Sequence, residues 1–328
     1  MIKEIMQKLP NFFVKVIAVV FFILMGLNTL LVLTKTAIFP KDYQETLFYE
    51  NDNAILNIIF LIIFSIVILI LARYFKKIIS IKRLVLIVMI YSFIISILFA
   101  ILRRDYVQFD PFNVIDQANN FIRGNYSGLE KGNNYLYIYS HQITTVFIFQ
   151  IILSLFGRAT FILYIMQSFS ISFIIFMLYK ISNILFEDED TNYLVVILSA
   201  LCFPLVFYVA FVYGILPGMF LTLVAYYYFI KYTKQKEWYL LVVSAISINI
   251  AILFIGNNMI HMIAIFTAAV IYFIRKKDKK ILAFILSCLF LMTASKSIIY
   301  NYYEATSQKE IAPGVPKITW IAMGMQEG

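Results

Sequence analysis

The sequence predicts an all-α, polytopic membrane protein with about ten transmembrane helices, and three observations carry that prediction. Of its 328 residues, 62% are apolar and only 14% charged, whereas soluble domains run at roughly 45–50% and about 25%. Ten separate apolar runs divide the chain, and a bilayer crossing takes about 20 residues. Basic residues gather in a few short segments between those runs instead of spreading evenly.

In order, the runs are 13–33, 54–72, 84–102, 142–157, 161–183, 192–210, 214–230, 239–255, 259–274 and 281–295. Charged or Gly/Asn/Pro-containing segments bound each one. Backbone in lipid must satisfy its own hydrogen bonds, and no run shows the period-2 alternation of a membrane barrel, so each is expected as a helix. The first run is longer than a signal-peptide core and no small-residue cleavage pattern follows it, so it is read as a retained span. Cys202 and Cys288 lie far apart inside apolar runs and are expected as buried thiols, with no disulfide framework. The acidic run Glu187-Asp188-Glu189-Asp190 reads as a solvated loop.

Segments 1–15, 73–83, 231–237 and 275–280 carry 16 Lys/Arg against three acids; segments 34–53, 103–141 and 296–328 carry nine against eleven. The positive-inside rule places the first group in the cytoplasm and the second outside. The net charge of +9 is thus a topology signal, and no nucleic-acid partner is expected. Ten full crossings from a cytoplasmic N-terminus would strand 231–237 and 275–280 outside. An extra or half crossing between 142 and 213 repairs the count, with Pro204 and Gly214-Ile-Leu-Pro217-Gly218 as the natural breakpoints. The organisation expected is a membrane domain over 1–295 and an outer tail over 296–328, whose amphipathic stretch from Pro313 to Trp320 resembles the start of a truncated outer region.

No phosphate-cradling glycine loop, HExxH or paired CxxC is present, so no cofactor is expected, and assistance by a divalent cation stays open. The 39-residue loop 103–141 stands out, since loops of that length usually serve a function. It interleaves Asp105, Asp110, Asp116, Arg123, Lys131 and His141 with Tyr106, Phe109, Phe112, Tyr126, Tyr135, Tyr137 and Tyr139. Asp116 to Arg123 reads as a short interfacial helix closed by Gly124. Asp110 and Asp116 are the candidate catalytic carboxylates. Candidate substrate-binding residues are Arg123, Lys131, Tyr137, His141 and Lys296. Asn257 and His261, four apart and so on one helical face, form a second polar spot near the outer end of a span.

The run Asp110-Pro-Phe-Asn-Val-Ile-Asp116-Gln-Ala-Asn-Asn-Phe-Ile-Arg-Gly124 is followed by Tyr135-Leu-Tyr-Ile-Tyr-Ser-His141-Gln142 and a span closing on Leu155-Phe156-Gly157. This resembles integral-membrane glycosyltransferases of the GT-C superfamily, nearest to glycosyltransferase family 39 with its protein-mannosyltransferase and aminoarabinose-transferase branch. Phe203-Pro204, Tyr213-Gly214-Ile-Leu-Pro217-Gly218-Met219 and the stretch from Pro313 to Gly324 resemble Gram-positive members. Two features depart from the family: its Asp-Glu pair is Asp110-Pro111 here, and the loop follows the third span instead of the first.

The resemblance implies a GT-C-like fold in the cell membrane. It also implies transfer of a sugar from a polyprenyl-phosphate donor to a glycan, lipid or protein acceptor on the extracytoplasmic face. One carboxylate would take the acceptor's proton, and basic residues would meet the charge of the departing lipid phosphate. The competing expectations are a transporter or flippase of lipid-linked glycans, or a non-catalytic membrane scaffold. Charge placed at membrane edges and in one outer loop favours the transferase over passage through the midplane.

Overall fold

A computed structural model describes residues 2–38, 48–103, 107–132, 134–316 and 318–319, with side chains described from residue 11 onward. The chain is almost entirely helical: α1 (Ile2–Thr34), α2 (Ala54–Ile78), α3 (Ile81–Leu102), α4 (Phe109–Ile122), α5 (Tyr135–Ile138), α6 (Ile143–Phe156), α7 (Thr160–Phe186), α8 (Glu189–Ala200), α9 (Phe203–Phe207), α10 (Ile215–Gln235), α11 (Trp238–Phe254), α12 (Met259–Lys276) and α13 (Lys280–Ser307). A small antiparallel pair, β1 (Lys35–Ile38) and β2 (Phe48–Asn51), joins α1 to α2 with Lys35 opposite Asn51 and Ile38 opposite Phe48.

Each of the ten apolar runs is helical. Among the described residues, seven helices are long and apolar enough to cross a membrane, and an eighth forms if α8 and the following bent segment to Ala210 count as one span. That pair bends by 47°, with Pro204 in the first turn of α9. Cys202 caps α9 at this bend and is exposed, which corrects the expectation of a buried thiol; Cys288 is buried. The bend opens the helix wall at Cys202, so an apolar neighbourhood in sequence does not enclose it.

The chain divides into two compact units. The first comprises 1–71, 270–277 and 317–328; the second comprises 72–269 and 278–316. In the first unit, Asn53 accepts hydrogen bonds from the amides of Ile55 and Leu56, capping α2. Asn57 donates to the Leu33 carbonyl at 3.0 Å, tying α2 to the end of α1. Large apolar side chains along α1 and α2, from Phe12 to Ile70, are exposed, as expected of surfaces that meet lipid.

Helix packing in the second unit relies on small polar side chains, which let helices approach closely and bond backbone carbonyls. Ser172 of α7 donates to Met89 O of α3 at 2.8 Å, and Ser244 of α11 donates to Ala225 O of α10 at 2.9 Å. Asn258 donates to Ala251 O at 2.7 Å and lies so near Gly218 that a Cβ there would sit 2.4 Å from its amide nitrogen. Asn258, not its neighbour Asn257, is therefore the buried polar staple of this corner, while Asn257 is exposed.

The unit has two chemically distinct ends. At the basic end, Lys76 pairs with Asp190 at 2.5 Å and Glu189 at 3.7 Å, Lys234 pairs with Glu187, and Lys236 lies 3.7 Å from Asp278. The acidic run is exposed throughout, and its last two residues already belong to α8. Asp188 caps α8 by accepting from the Thr191 amide, where the helix dipole favours negative charge, and its neighbours are drawn to lysines. At the aromatic end, Thr145 of α6 donates to Phe254 O at 2.8 Å, Gln167 of α7 to Phe211 O at 3.0 Å and Tyr303 of α13 to Gln150 of α6 at 2.5 Å.

These contacts place both ends of α6 at the aromatic end, because α7 starts there and runs to the basic end. The segment from 140 to 156 is an apolar helix shorter than the seven of spanning length. At 14 residues, α6 is about 21 Å long, against roughly 30 Å for a hydrocarbon core. Its stripe of Ile143, Val146, Phe149 and Leu153 is buried with Val114, Ala118 and Phe121 of α4 and with Ile299 and Tyr303 of α13. The hydrophobicity that resembles a span serves a protein core instead.

Candidate functional site

The site is built on the first turn of α4. The expected helix over 116–123 exists but begins two turns earlier, at Phe109, and Gly124 follows its end at φ 76°. Asp110 therefore lies inside the first turn, where the positive end of the helix dipole favours a carboxylate. Phe109 before it has φ 57°, a left-handed conformation costing roughly 1–2 kcal/mol for a residue with a side chain. Such strain persists only where surrounding structure enforces it.

Tyr213 donates its phenolic hydrogen to Asp110 Oδ2 at 3.1 Å. With that proton committed, the Tyr135 hydroxyl, 3.3 Å away, must donate to the Tyr213 oxygen, and the Gln142 side-chain amide donates to the same oxygen. The chain of hydroxyls is thereby polarised toward Asp110. Tyr135 and Tyr213 both hold their protons more tightly than a free tyrosine: burial is the main cause, and the Asp110 charge adds to it.

The other hydrogen of the Gln142 amide points to His141 Nε2 at 3.2 Å, which makes that nitrogen an acceptor and places the imidazole proton on Nδ1. Thr145 Oγ1, whose hydrogen goes to Phe254 O, lies 3.3 Å from Gln142 Oε1. Burial lowers the proton affinity of His141, the Lys296 ammonium lowers it further, and Asp110 partly opposes them. His141 is therefore neutral at pH 7. Lys296 sits 5.0 Å from the centre of the Tyr300 ring, and Tyr300 donates to Ser140 O at 2.9 Å, which anchors α13 beside His141. Tyr139 packs against Tyr135 with ring centres 5.0 Å apart and planes tilted by 50°, and it meets the His141 ring edge-on at 6.3 Å.

The backbone around this cluster tolerates little change. Gly214 has φ 81°, and a Cβ there would lie 2.5 Å from the Phe254 carbonyl oxygen. Val315 donates its amide to Ile138 O at 3.0 Å, and Gly314 passes so close to Ser140 that a Cβ would sit 2.7 Å from its hydroxyl. Lys309 pairs with Glu130 at 2.6 Å. The described part of the tail thus folds back onto loop 126–140.

Of the residues singled out in the sequence, the structure brings Asp110, His141 and Lys296 together. Asp116 lies more than a turn further along α4, half-buried, accepting from Asn120 at 2.9 Å. Arg123 and Lys131 are exposed and touch none of the cluster's hydrogen bonds. Tyr137 joins neither the hydroxyl chain nor the ring packing, whereas Tyr135 and Tyr139, one helical turn apart, do. His261 bonds Tyr226 at 2.9 Å, 13 residues and about 20 Å along α10 from Tyr213, so the second polar spot is separate. Asp105 falls outside the described residues.

Tyr213, Gln142, Thr145 and Tyr300 were not singled out as site residues. A tyrosine next to a turn glycine between two spans, and a glutamine opening an apolar helix, are the signals that point to the first two. Among the described residues, no three His, Cys, Asp or Glu side chains gather as a metal site would require. No protein-family model, curated protein or solved structure matches the chain.

Proposed function

We propose that the chain is a GT-C-type membrane glycosyltransferase acting at the aromatic end. The observation that carries this reading is the meeting of one carboxylate, one neutral imidazole and one ammonium beside packed tyrosines, at the ends of helices made for lipid. Asp110 accepts the proton of an acceptor hydroxyl as that oxygen bonds to the anomeric carbon of the sugar. The bond from that carbon to the carrier phosphate breaks, and its electron pair leaves with the phosphate, whose charge Lys296 meets. Neutral His141, protonated on Nδ1, is a hydrogen-bond donor in the same place. The faces of Tyr135 and Tyr139 suit the apolar side of a sugar ring.

The donor is a polyprenyl-phosphate-linked sugar held in the cell membrane, and the acceptor is a glycan, lipid or protein of the cell envelope. With α6 kept out of the bilayer and α11 counted as a span, nine crossings put every Lys-rich segment in the cytoplasm and the Asp110 cluster outside, as the positive-inside rule requires.

The deciding experiment compares surface-glycan composition in a deletion strain carrying wild type, Asp110→Asn or Asp116→Asn at matched membrane abundance. Loss of Asp110 as base should lower transfer by about 100-fold or more, while Asp116→Asn retains most activity. Full restoration by Asp110→Asn would overturn the assignment.

A further inference from the structure

The basic end holds a feature that the transferase reading does not use. A cavity of about 330 Å³ opens between the C-terminal turns of α7 and α10, and three of its lining residues are lysines: Lys180, Lys231 and Lys234. Asn183 and Tyr227 add polar groups, and Glu187 is the sole acid in the lining. Glu187 is occupied by Lys234, which also donates to Ile184 O at 2.6 Å.

Lys180 and Lys231 form no ion pair among the described residues, yet both are half-buried. Each ammonium lies against an aromatic ring one turn back on its own helix: Lys180 is 5.3 Å from the centre of Phe176, and Lys231 is 5.9 Å from that of Tyr227. Lys180 also sits six residues, about 9 Å, inside the end of α7. By contrast, Lys76, Lys234 and Lys236 of this end meet carboxylates.

Two unneutralised ammonium groups held at that depth call for an anion, and the cavity volume suits a small headgroup. We propose that this cavity binds the phosphate of an anionic membrane lipid, with Lys180 and Lys231 as its ligands, Asn183 as a further donor and Glu187 as the acid that limits affinity. A phosphate at this depth reaches the cavity laterally from the bilayer, and basic pockets between spans take such headgroups. The inference is independent of the proposed activity, because it uses no residue of the Asp110 cluster.

The test is native mass spectrometry of the full chain in neutral detergent, equilibrated with equal amounts of phosphatidylglycerol and phosphatidylcholine. Wild type should retain one phosphatidylglycerol in strong preference. Lys180→Gln/Lys231→Gln should lower that retention at least fivefold, while Lys82→Gln, a basic-end change outside the cavity, leaves it unaltered. Equal retention of both lipids by wild type, or unchanged retention by the double variant, would overturn the proposal. If the double variant loses its monodisperse gel-filtration peak, Glu187→Gln decides: retention should at least double, and no change refutes the site. A calorimetric titration with inorganic phosphate separates the sources. Binding of phosphate alone at these lysines, with no retained lipid, keeps the phosphate chemistry and refutes the lipid as its source.

Discussion

The two ends of the second unit handle charge in opposite ways. At the basic end, Lys76, Lys234 and Lys236 each lie within reach of a carboxylate, and these exposed pairs set which segments sit together. At the aromatic end, neutral hydroxyls and an amide bond Asp110 and His141, and Lys296 lies against the Tyr300 ring. Ion pairs tie segments together at one end, whereas neutral hydrogen bonds arrange the groups at the other. Lys180 and Lys231 are half-buried in the lining of one cavity and form no ion pair among the described residues, which is why they point to a ligand.

The largest effect that would sharpen this contrast is Gly214→Ala. The left-handed backbone alone costs about 1–2 kcal/mol, and the clash with Phe254 O adds to it. A fall of about 5 °C or more in melting temperature is expected in detergent, together with loss of activity, because Tyr213 is the next residue. Tyr213→Phe comes next. It removes the donor to Asp110 and the acceptor of Gln142, and a hydrogen bond of about 1–1.5 kcal/mol corresponds to roughly a tenfold drop in transfer.

Lys296→Gln tests the electrostatics directly. Lys296 lowers His141 proton affinity, so its removal should shift the imidazole titration toward higher pH while burial still keeps it below the usual 6.5. The sign also fixes stability: a depressed histidine contributes stability above its unfolded value near 6.5 and loses it as pH falls through that value. The variant should therefore lose less stability on acidification, as histidine NMR and melting curves against pH will show. An unshifted titration would break the link between α13 and His141. The smallest effect belongs to Lys76→Gln, whose exposed pairs are screened by solvent, so no change in melting temperature is expected. A large loss of stability there would erase the distinction between the two ends.

The helices were legible because apolar runs of spanning length can satisfy their backbone in only one way, and every run proved helical. The helix closed by Gly124 was also legible, although its start was not. Asp110-Pro111 looks like a loop, yet Pro fits a first helical turn, so the carboxylate lies within the helix. The meeting of Asp110, His141 and Lys296 could not be read, since their chain separations carry no period that links them. Asp116 shows the converse. Its composition matched that of Asp110, and only the Asn120 bond and its place on α4 set it apart.

The sequence by itself determined that this is an all-α protein of lipid-crossing helices with one basic and one aromatic set of connections. Composition, run length and charge position all act through the transfer of side chains from water. Only the tertiary structure decided that α6 is wrapped by α4 and α13, that Cys202 is exposed, and that Tyr213 bonds Asp110 and Gln142 bonds His141. The physical reason is that hydrophobicity states what leaves water and is silent on whether lipid or protein receives it. A polar side chain likewise has no partner until packing supplies one.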